Sequence, residues 1–166
     1  PVPVAVPSSS RLLRVGDPSV YRRLMEIGVL MVPVPRRAAS IARMVEELGF
    51  DAGLFPDSQN LAPDVWAELA LAAAATTKLH LGPGVSNSIT RDPAVLAAAA
   101  LTLQVESGGR AILGLGRGDS SVQRIGKRED PVGSFERYLT MVQAYLRGEA
   151  VDRDGFASRL EWLERV

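Results

Sequence analysis

The sequence contains no cysteine and only one histidine among its 166 residues. Without cysteine the chain can form no disulfide, offers no thiolate nucleophile and binds no metal through sulfur. A single histidine also argues against a histidine-rich metal cluster, so we expect no metal site. Aromatic residues make up only 5% of the chain, and alanine-rich stretches supply much of its apolar content.

The chain also has no net excess of either charge, because 19 basic residues balance 19 acidic ones. A chain without a basic excess has no electrostatic footprint for nucleic acid or for an anionic membrane. The longest apolar run, residues 69–75, is far too short to cross a bilayer. The proline-broken start, residues 1–7, lacks the basic region of a signal peptide. We therefore expect a cytoplasmic protein that binds neither nucleic acid nor membrane.

A regular hydrophobic pattern begins at Met25. Residues 1–24 carry several prolines and three consecutive serines without a clear period, which predicts a flexible leader. Beyond it, short apolar runs alternate with amphipathic or alanine-rich helical patterns. The predicted strands are 27–32, 52–55, 78–82 and 111–115, and the predicted helices are 36–48, 64–76, 92–106 and 134–146. A further short helix is predicted around Leu160–Leu163.

Four strand–helix alternations predict an α/β protein with a parallel sheet and right-handed crossovers. The alternation alone leaves two architectures open, a doubly wound open sheet and a TIM-type (β/α)8 barrel. A complete barrel needs roughly 250 residues. If the fold is a barrel, residues 25–166 supply about four parallel βα units, its N-terminal half.

Two glycine-bearing segments, residues 81–93 (LGPGVSNSITRDP) and 107–119 (SGGRAILGLGRGD), carry a family resemblance. Together they resemble the luciferase-like flavin and deazaflavin oxidoreductases, especially the coenzyme F420-dependent branch that includes the methanopterin-type reductases. The likeness runs from Met25 to about Trp162. It implies a (β/α)8 barrel with the cofactor at the carboxyl ends of the strands. Our strand prediction places Asp57 and Ser58, residues 84–87 and residues 116–119 at those ends.

The segment after the third strand has two interpretations. The resemblance implies a bulge with a cis peptide bond between Gly84 and Val85, which would support one face of a flat cofactor ring. It also implies that Ser86 and Asn87 hydrogen-bond to oxygens of the cofactor. From the residues alone, a Pro-Gly turn with serine and asparagine as turn formers explains the segment equally simply.

The loop after the fourth strand has a Gly-x-Gly-x-Gly pattern that ends at Gly118 and Asp119. Its spacing differs from the dinucleotide fingerprint, and no helix is predicted directly behind it. Either Gly116 and Gly118 let the backbone approach the cofactor while Asp119 makes polar contacts, or the loop is flexible with a solvated aspartate. Asp57 contacts the cofactor or caps a turn. Arg91 is expected to anchor a loop through carboxylate or backbone contacts.

One departure from the methanopterin-type reductases concerns the first strand. Those reductases carry an acidic residue near its end, where this sequence has Leu30, Met31 and Val32. This difference leaves the catalytic acid or base unassigned.

Three functions remain open at this point. The resemblance favours an F420-dependent oxidoreductase, or a part of one, that transfers hydride between the deazaflavin and a small organic substrate. The alternatives are part of an FMN-dependent monooxygenase and a non-catalytic half barrel. Because a lone half barrel exposes two strand edges and an apolar face, we expect a homodimer or a complementary half-barrel chain.

Overall fold

The structure, a computed structural model, describes residues 25–165 and shows an α/β chain with parallel strands. The predicted leader, residues 1–24, lies outside the described residues. In chain order the elements are β1 (Gly28–Leu30), α1 (Ala38–Glu47), β2 (Ala52–Phe55), α2 (Val65–Ala75), β3 (His80–Pro83), β4 (Ser86–Asn87), α3 (Pro93–Glu106), β5 (Leu115–Gly116), α4 (Ser120–Gln123), α5 (Val132–Leu146), β6 (Val151–Arg153), β7 (Phe156–Ser158) and a 3-10 helix (Glu161–Arg165).

The first three strands form one parallel sheet in the order β1-β2-β3. Successive side chains of a strand point to opposite faces, and the two faces of this sheet differ. Phe55 and Leu81 are fully buried and pack in the core beneath the helices. Leu30 and Leu54 approach Gly84 on the opposite face, where Leu30 is 57% exposed. The helices therefore cover one face only.

The fourth predicted strand, residues 111–115, is only partly formed. Its start makes an isolated bridge to β3 at Leu81, and a regular strand is found only at β5, which pairs with β4. Gly84 and Val85 interrupt the ladder between these two points, although Ser86 N–H still donates to the Gly114 carbonyl at 2.9 Å. The segment thus runs beside β3 and β4, but the interruption shortens the strand.

The four predicted helices are confirmed as α1, α2, α3 and α5. Two of them begin at aspartates whose side chains accept hydrogen bonds from the first turn, as N-caps do. Asp64 accepts from the backbone N–H groups of Trp66 and Ala67. Asp92 accepts from Ala94 N–H, and a proline occupies the first helical position.

Two elements depart from the prediction. The short helix α4 does open directly behind the glycine loop, so the expectation that no helix follows this loop is wrong. The tail also contains an antiparallel hairpin, β6–β7. Its turn residues Asp154 and Gly155 both have positive φ angles, 54° and 85°, as a primed hairpin turn requires. The short helix predicted around Leu160–Leu163 is confirmed as the 3-10 helix.

Arg110 ties the start of the fourth segment to the end of α2. Its guanidinium group donates five hydrogen bonds of 2.7–3.0 Å. The acceptors are the carbonyls of Ala73, Thr76, Leu79 and Ser107 and the hydroxyl of Thr76. The last carbonyl groups of a helix have no partner within the helix. Arg110 therefore supplies donors that α2 cannot supply itself.

Replacing Arg110 with methionine keeps an apolar stem but removes all five donors. Because carbonyl groups are then left without partners, we expect the free energy of unfolding to fall by about 3 kcal/mol. Urea denaturation followed by circular dichroism measures the change. Arg43→Met, at an exposed position of α1, is the control and should change stability by less than about 0.5 kcal/mol. Equal stability of the two variants would contradict this role of Arg110.

Candidate functional site

A cleft of about 370 Å³ lies where β2, β4 and β5 end. The carboxyl ends of parallel strands are where barrel proteins bind their ligands. The structure brings all eight predicted site residues to this cleft, namely Asp57, Gly84, Val85, Ser86, Asn87, Gly116, Gly118 and Asp119. Its walls also contain Ser58 and Arg117, which our strand prediction places at the strand ends, and four residues that the sequence did not indicate: Pro56, Ser120, Ser121 and Glu129.

Asp57 is the most buried carboxylate of the cleft, with only 3% of the residue exposed. It accepts hydrogen bonds from Ser86 Oγ at 2.6 Å and Gln59 Nε2 at 2.7 Å, and Arg91 Nε lies 3.4 Å from its Oδ2. These donors come from its own loop, from β4 and from the start of α3. The carboxylate therefore fixes three segments of the cleft relative to one another.

Arg91 anchors its loop through carboxylates, as predicted. Besides Asp57, its guanidinium group binds Asp64 at 2.9 Å and lies 5.9 Å from the centroid of the Trp66 ring. Its carbonyl accepts from the hydroxyl of Tyr138 at 3.0 Å, and burial raises the pKa of that hydroxyl. Although burial works in the opposite direction, Ala67 N–H and Arg91 hold the pKa of Asp64 below its ordinary value.

Asn87 presents a buried amide whose orientation is fixed. Its Oδ1 accepts from the backbone N–H groups of Ile89 and Thr90 and from the Thr90 hydroxyl, at 3.0–3.1 Å. This set of donors identifies the oxygen, so the other end of the amide must be the NH2 group. Among residues 25–165, Asn87 Nδ2 is buried without a hydrogen-bond partner. Asn87 lines the cleft, so a donor without an acceptor lies beside it.

The peptide bond between Gly84 and Val85 is cis, as the resemblance implied. The side chain of Val85 is 51% exposed and lies against the glycine loop. A Cβ atom at Gly114 or Gly116 would stand 3.0 or 3.2 Å from its γ carbons, and one at Gly118 would stand 2.8 Å from Val122. Packing within the chain is therefore enough to explain these three glycines, including Gly116 and Gly118, for which the sequence also allows a close approach of the cofactor.

Residues 117–131 form the outer wall of the cleft. Asp130, 5% exposed, accepts from Ser88 Oγ at 2.7 Å, which ties this wall to the end of β4. Asn60 Nδ2 donates to the Arg124 carbonyl at 3.0 Å and ties it to the loop after β2. Asp119 is exposed at the rim, where its side chain caps no helix N–H group. Glu129 lines the cleft from the far end of this wall. No local motif in the sequence indicated this position.

The parallel sheet, the helix layer on one of its faces and the cleft at the strand ends agree with parallel βα units of a TIM-type barrel, the fold of the structures on which the chain superposes. The family model described as "Luciferase-like monooxygenase" matches residues 15–165. The chain therefore belongs to the luciferase-like monooxygenase family.

Among the relatives, 5,10-methylenetetrahydromethanopterin reductase of Methanolobus tindarius is 35% identical over 135 residues, which are 79% of this chain and 41% of the reductase. The coenzyme F420 dependent tetrahydromethanopterin reductase of Methanopyrus kandleri superposes with a TM-score of 0.66 at 29% identity, over 80% of this chain and 43% of the reductase. The chain thus spans about two fifths of the length of these relatives, as about half of a barrel should.

A flavin enzyme shares the same fold. The oxygenating constituent of 3,6-diketocamphane monooxygenase from Pseudomonas putida, solved in complex with FMN, superposes with a TM-score of 0.68. Its identity is 20%, and the match covers 84% of this chain and 45% of the monooxygenase. At this identity the likeness shows the fold alone. Within residues 25–165, no helix is both long and apolar enough to span a bilayer.

Asp57→Asn is expected to destabilise the protein, because an amide cannot accept from all three donors. The free energy of unfolding should fall by about 2–3 kcal/mol in urea denaturation. Asp64→Asn is the matched control, since asparagine is an equally good N-cap and the side chain of Asp64 is 57% exposed. That control should cost less than about 1 kcal/mol. Similar losses for the two variants would contradict the central role of Asp57.

Proposed function

We propose that this chain forms the ring-binding side of an F420-dependent oxidoreductase, which transfers hydride between the deazaflavin and a small organic substrate. The buried, unpartnered NH2 group of Asn87 carries this proposal. A buried donor without an acceptor costs about 1–3 kcal/mol. A ligand that brings an acceptor atom to this point would recover that cost.

Ser86 complements Asn87. Because its hydroxyl donates to Asp57 at 2.6 Å, only its oxygen lone pairs remain for a ligand. Ser86 therefore retains an acceptor and Asn87 a donor, on consecutive residues whose side chains point to opposite sides of β4. Each would meet a separate polar group of a bound ligand, and the pyrimidine-type ring of a deazaflavin has both N–H and C=O groups.

The other predicted site residues would surround the ring. Gly84 and Val85 would support one face of the ring, and the exposed side chain of Val85 offers an apolar surface for it. Gly116, Gly118 and Asp119 would border the ring at the opposite wall, with backbone N–H groups and the Asp119 carboxylate as polar contacts. Asp57 would act as a positioning residue, since its oxygens already accept from protein donors.

Bound deazaflavin would supply the hydride carrier, a flat ring that gives or takes two electrons and a proton at one carbon. The chain's own residues would hold that ring in place and exclude water from one of its faces. Glu129 and Asp119 are the carboxylates at the mouth of the cleft that are not buried. We propose neither as the catalytic acid, which stays unassigned.

FMN is the alternative cofactor, with part of a luciferase-like monooxygenase as the corresponding function. The reductase relatives favour the deazaflavin because they are 31–35% identical to this chain, whereas the FMN-bound neighbour is 20% identical. The Ser86 acceptor and the Asn87 donor suit either ring. Titration of the purified chain with F420 and with FMN, followed by fluorescence, distinguishes the two.

We expect F420 to bind more tightly than FMN, and Asn87→Asp to weaken F420 binding at least about 50-fold, or about 2.3 kcal/mol. Aspartate keeps an oxygen for the donors of Ile89 and Thr90 but replaces the NH2 group with an oxygen that repels the acceptor of the ligand. Because that second oxygen is buried without a partner, the variant should lose some stability, and thermal denaturation checks that it is still folded.

Gln143→Glu, at an exposed position of α5, is the control, since it makes the same change of charge away from the cleft. It should bind F420 as the wild type does. Tighter binding of FMN would favour the monooxygenase, and binding of neither cofactor would favour a non-catalytic half barrel. Equal affinity of Asn87→Asp and the wild type would refute the role of Asn87.

We also propose that the face of the sheet opposite the helices, the inner face, packs against further barrel strands. This face presents Leu30, Val32 and Val85, which are 57%, 66% and 51% exposed. Contiguous apolar surface of this kind usually marks an interface. A second copy of this chain or a complementary half-barrel chain would supply the covering strands.

If a second copy covers the inner face, Leu30→Glu should lower the mass measured by multi-angle light scattering, because a carboxylate would be buried without a partner. Met44→Glu is the control, since Met44 is similarly exposed, at 51%, on α1. It should leave the mass unchanged. A wild type that is monomeric and well folded would rule out this form of the proposal.

A further inference from the structure

The turn formed by residues 88–92 connects β4 to α3 and fixes the amide of Asn87. The backbone N–H groups of Ile89 and Thr90 in this turn both donate to Asn87 Oδ1 at 3.0 Å. The turn therefore sets the direction in which the unpartnered NH2 group of Asn87 points. Any movement of the turn relative to β4 would change the direction of that donor.

Side chains hold the two ends of the turn. At the first end, Ser88 Oγ donates to the buried carboxylate of Asp130 at 2.7 Å. At the other end, the Asp92 carboxylate caps α3 and lies 2.7 Å from the guanidinium group of Arg153 in the hairpin. These contacts fix where the turn begins and ends, but they do not hold its main chain.

The main chain of the turn is held by Tyr138 of α5. Its hydroxyl donates to the Arg91 carbonyl at 3.0 Å. Within residues 25–165, this is the one hydrogen bond that the main chain of residues 88–91 receives from outside the turn and Asn87. A single hydroxyl group thus connects the main chain of the turn to the helix layer.

Packing brings this hydroxyl to the turn. Tyr138 is only 8% exposed and lies in a buried cluster with Leu96 of α3 and Val142 of α5. Since the ring is rigid and its neighbours are buried, the hydroxyl has little freedom to leave the Arg91 carbonyl. Burial also raises the pKa of the hydroxyl, so it stays protonated and remains a donor.

We infer that Tyr138 is a positioning residue of the ligand site: its hydroxyl fixes the turn that directs the NH2 group of Asn87 toward the ligand. Tyr138 does not line the cleft, so it acts through the main chain of Arg91 and not by touching a ligand. The effect on ligand binding rests on the proposed function, whereas the order of the turn is a property of the free chain.

Removal of the hydroxyl leaves the Arg91 carbonyl without its donor. Such a carbonyl either stays unsatisfied or turns toward water, and in the second case the turn moves with it. The N–H groups of Ile89 and Thr90 then lose their alignment with Asn87, whose amide becomes free to rotate. Ligand binding is therefore weakened although no group that touches the ligand has been removed.

Tyr138→Phe removes only the hydroxyl, and Tyr145→Phe is the matched control. Tyr145 is also a buried tyrosine of α5, but its hydroxyl donates to Ser158 Oγ at 2.9 Å, away from the turn. In the full chain without cofactor, Tyr138→Phe should speed hydrogen exchange at the Ile89 and Thr90 amides at least about tenfold, as followed by NMR. Tyr145→Phe should leave the exchange of these two amides at the wild-type rate.

Titration with F420 gives the second measurement. Tyr138→Phe should raise the dissociation constant about tenfold, and Tyr145→Phe should leave it unchanged. In the Asn87→Asp background, Tyr138→Phe should raise it by less than about twofold, because the donor that the turn directs is already absent. A merely structural role of Tyr138 would give the same loss in both backgrounds.

Circular dichroism checks that each variant is folded. Wild-type exchange rates in Tyr138→Phe would overturn the inference. So would equal losses of affinity in Tyr138→Phe and Tyr145→Phe, or a tenfold loss that persists in the Asn87→Asp background. Faster exchange in a chain that binds neither F420 nor FMN would instead refute the proposed function and confirm that Tyr138 holds the turn.

Discussion

The cleft of this protein depends on one buried carboxylate. Asp57 accepts hydrogen bonds from Ser86 and Gln59 and forms an ion pair with Arg91. Taking a carboxylate out of water is costly unless it is paired and hydrogen-bonded, so Asp57 needs all of these contacts. They hold the end of β2, the start of β4 and the entrance to α3 in one arrangement. This arrangement fixes the positions of the Asn87 donor and the Ser86 acceptor on β4.

The same arrangement explains why the proposed ligand contacts lie on β4. Asp57 occupies the hydrogen of the Ser86 hydroxyl, and the turn at Ile89 and Thr90 occupies the oxygen of the Asn87 amide. Each residue is left with the opposite capacity for a ligand, an acceptor at Ser86 and a donor at Asn87. The protein's internal bonds thus decide what the cleft can recognise.

Much of the fold could be predicted from the sequence, because local signals were strong. Asp64 and Asp92 indicated two helix starts through their capping chemistry, and short apolar runs indicated the parallel strands. The hairpin at Asp154 and Gly155 carried a known turn signal, which we missed in a polar tail. The shortening of the fourth strand had no local signal, since it results from the interruption at Gly84 and Val85 on a neighbouring segment.

For the candidate site, the sequence predicted which residues meet but not how they are bonded. The family resemblance led to all eight residues that the structure brings to one cleft, but it did not reveal their bonding. The partners of Asp57 and the orphan NH2 group of Asn87 follow from contacts between distant segments, which spacing along the chain does not encode. Glu129 was missed for the same reason, because the path of residues 117–131 is set by Asn60 and Ser88.

A crystal structure of the chain with oxidised F420 would show directly where the cofactor binds. We expect the deazaflavin ring to lie against Gly84 and Val85, with a ring acceptor 2.7–3.2 Å from Asn87 Nδ2. A cofactor bound elsewhere, or an Asn87 NH2 group that still lacks a partner when the cofactor is bound, would contradict this expectation.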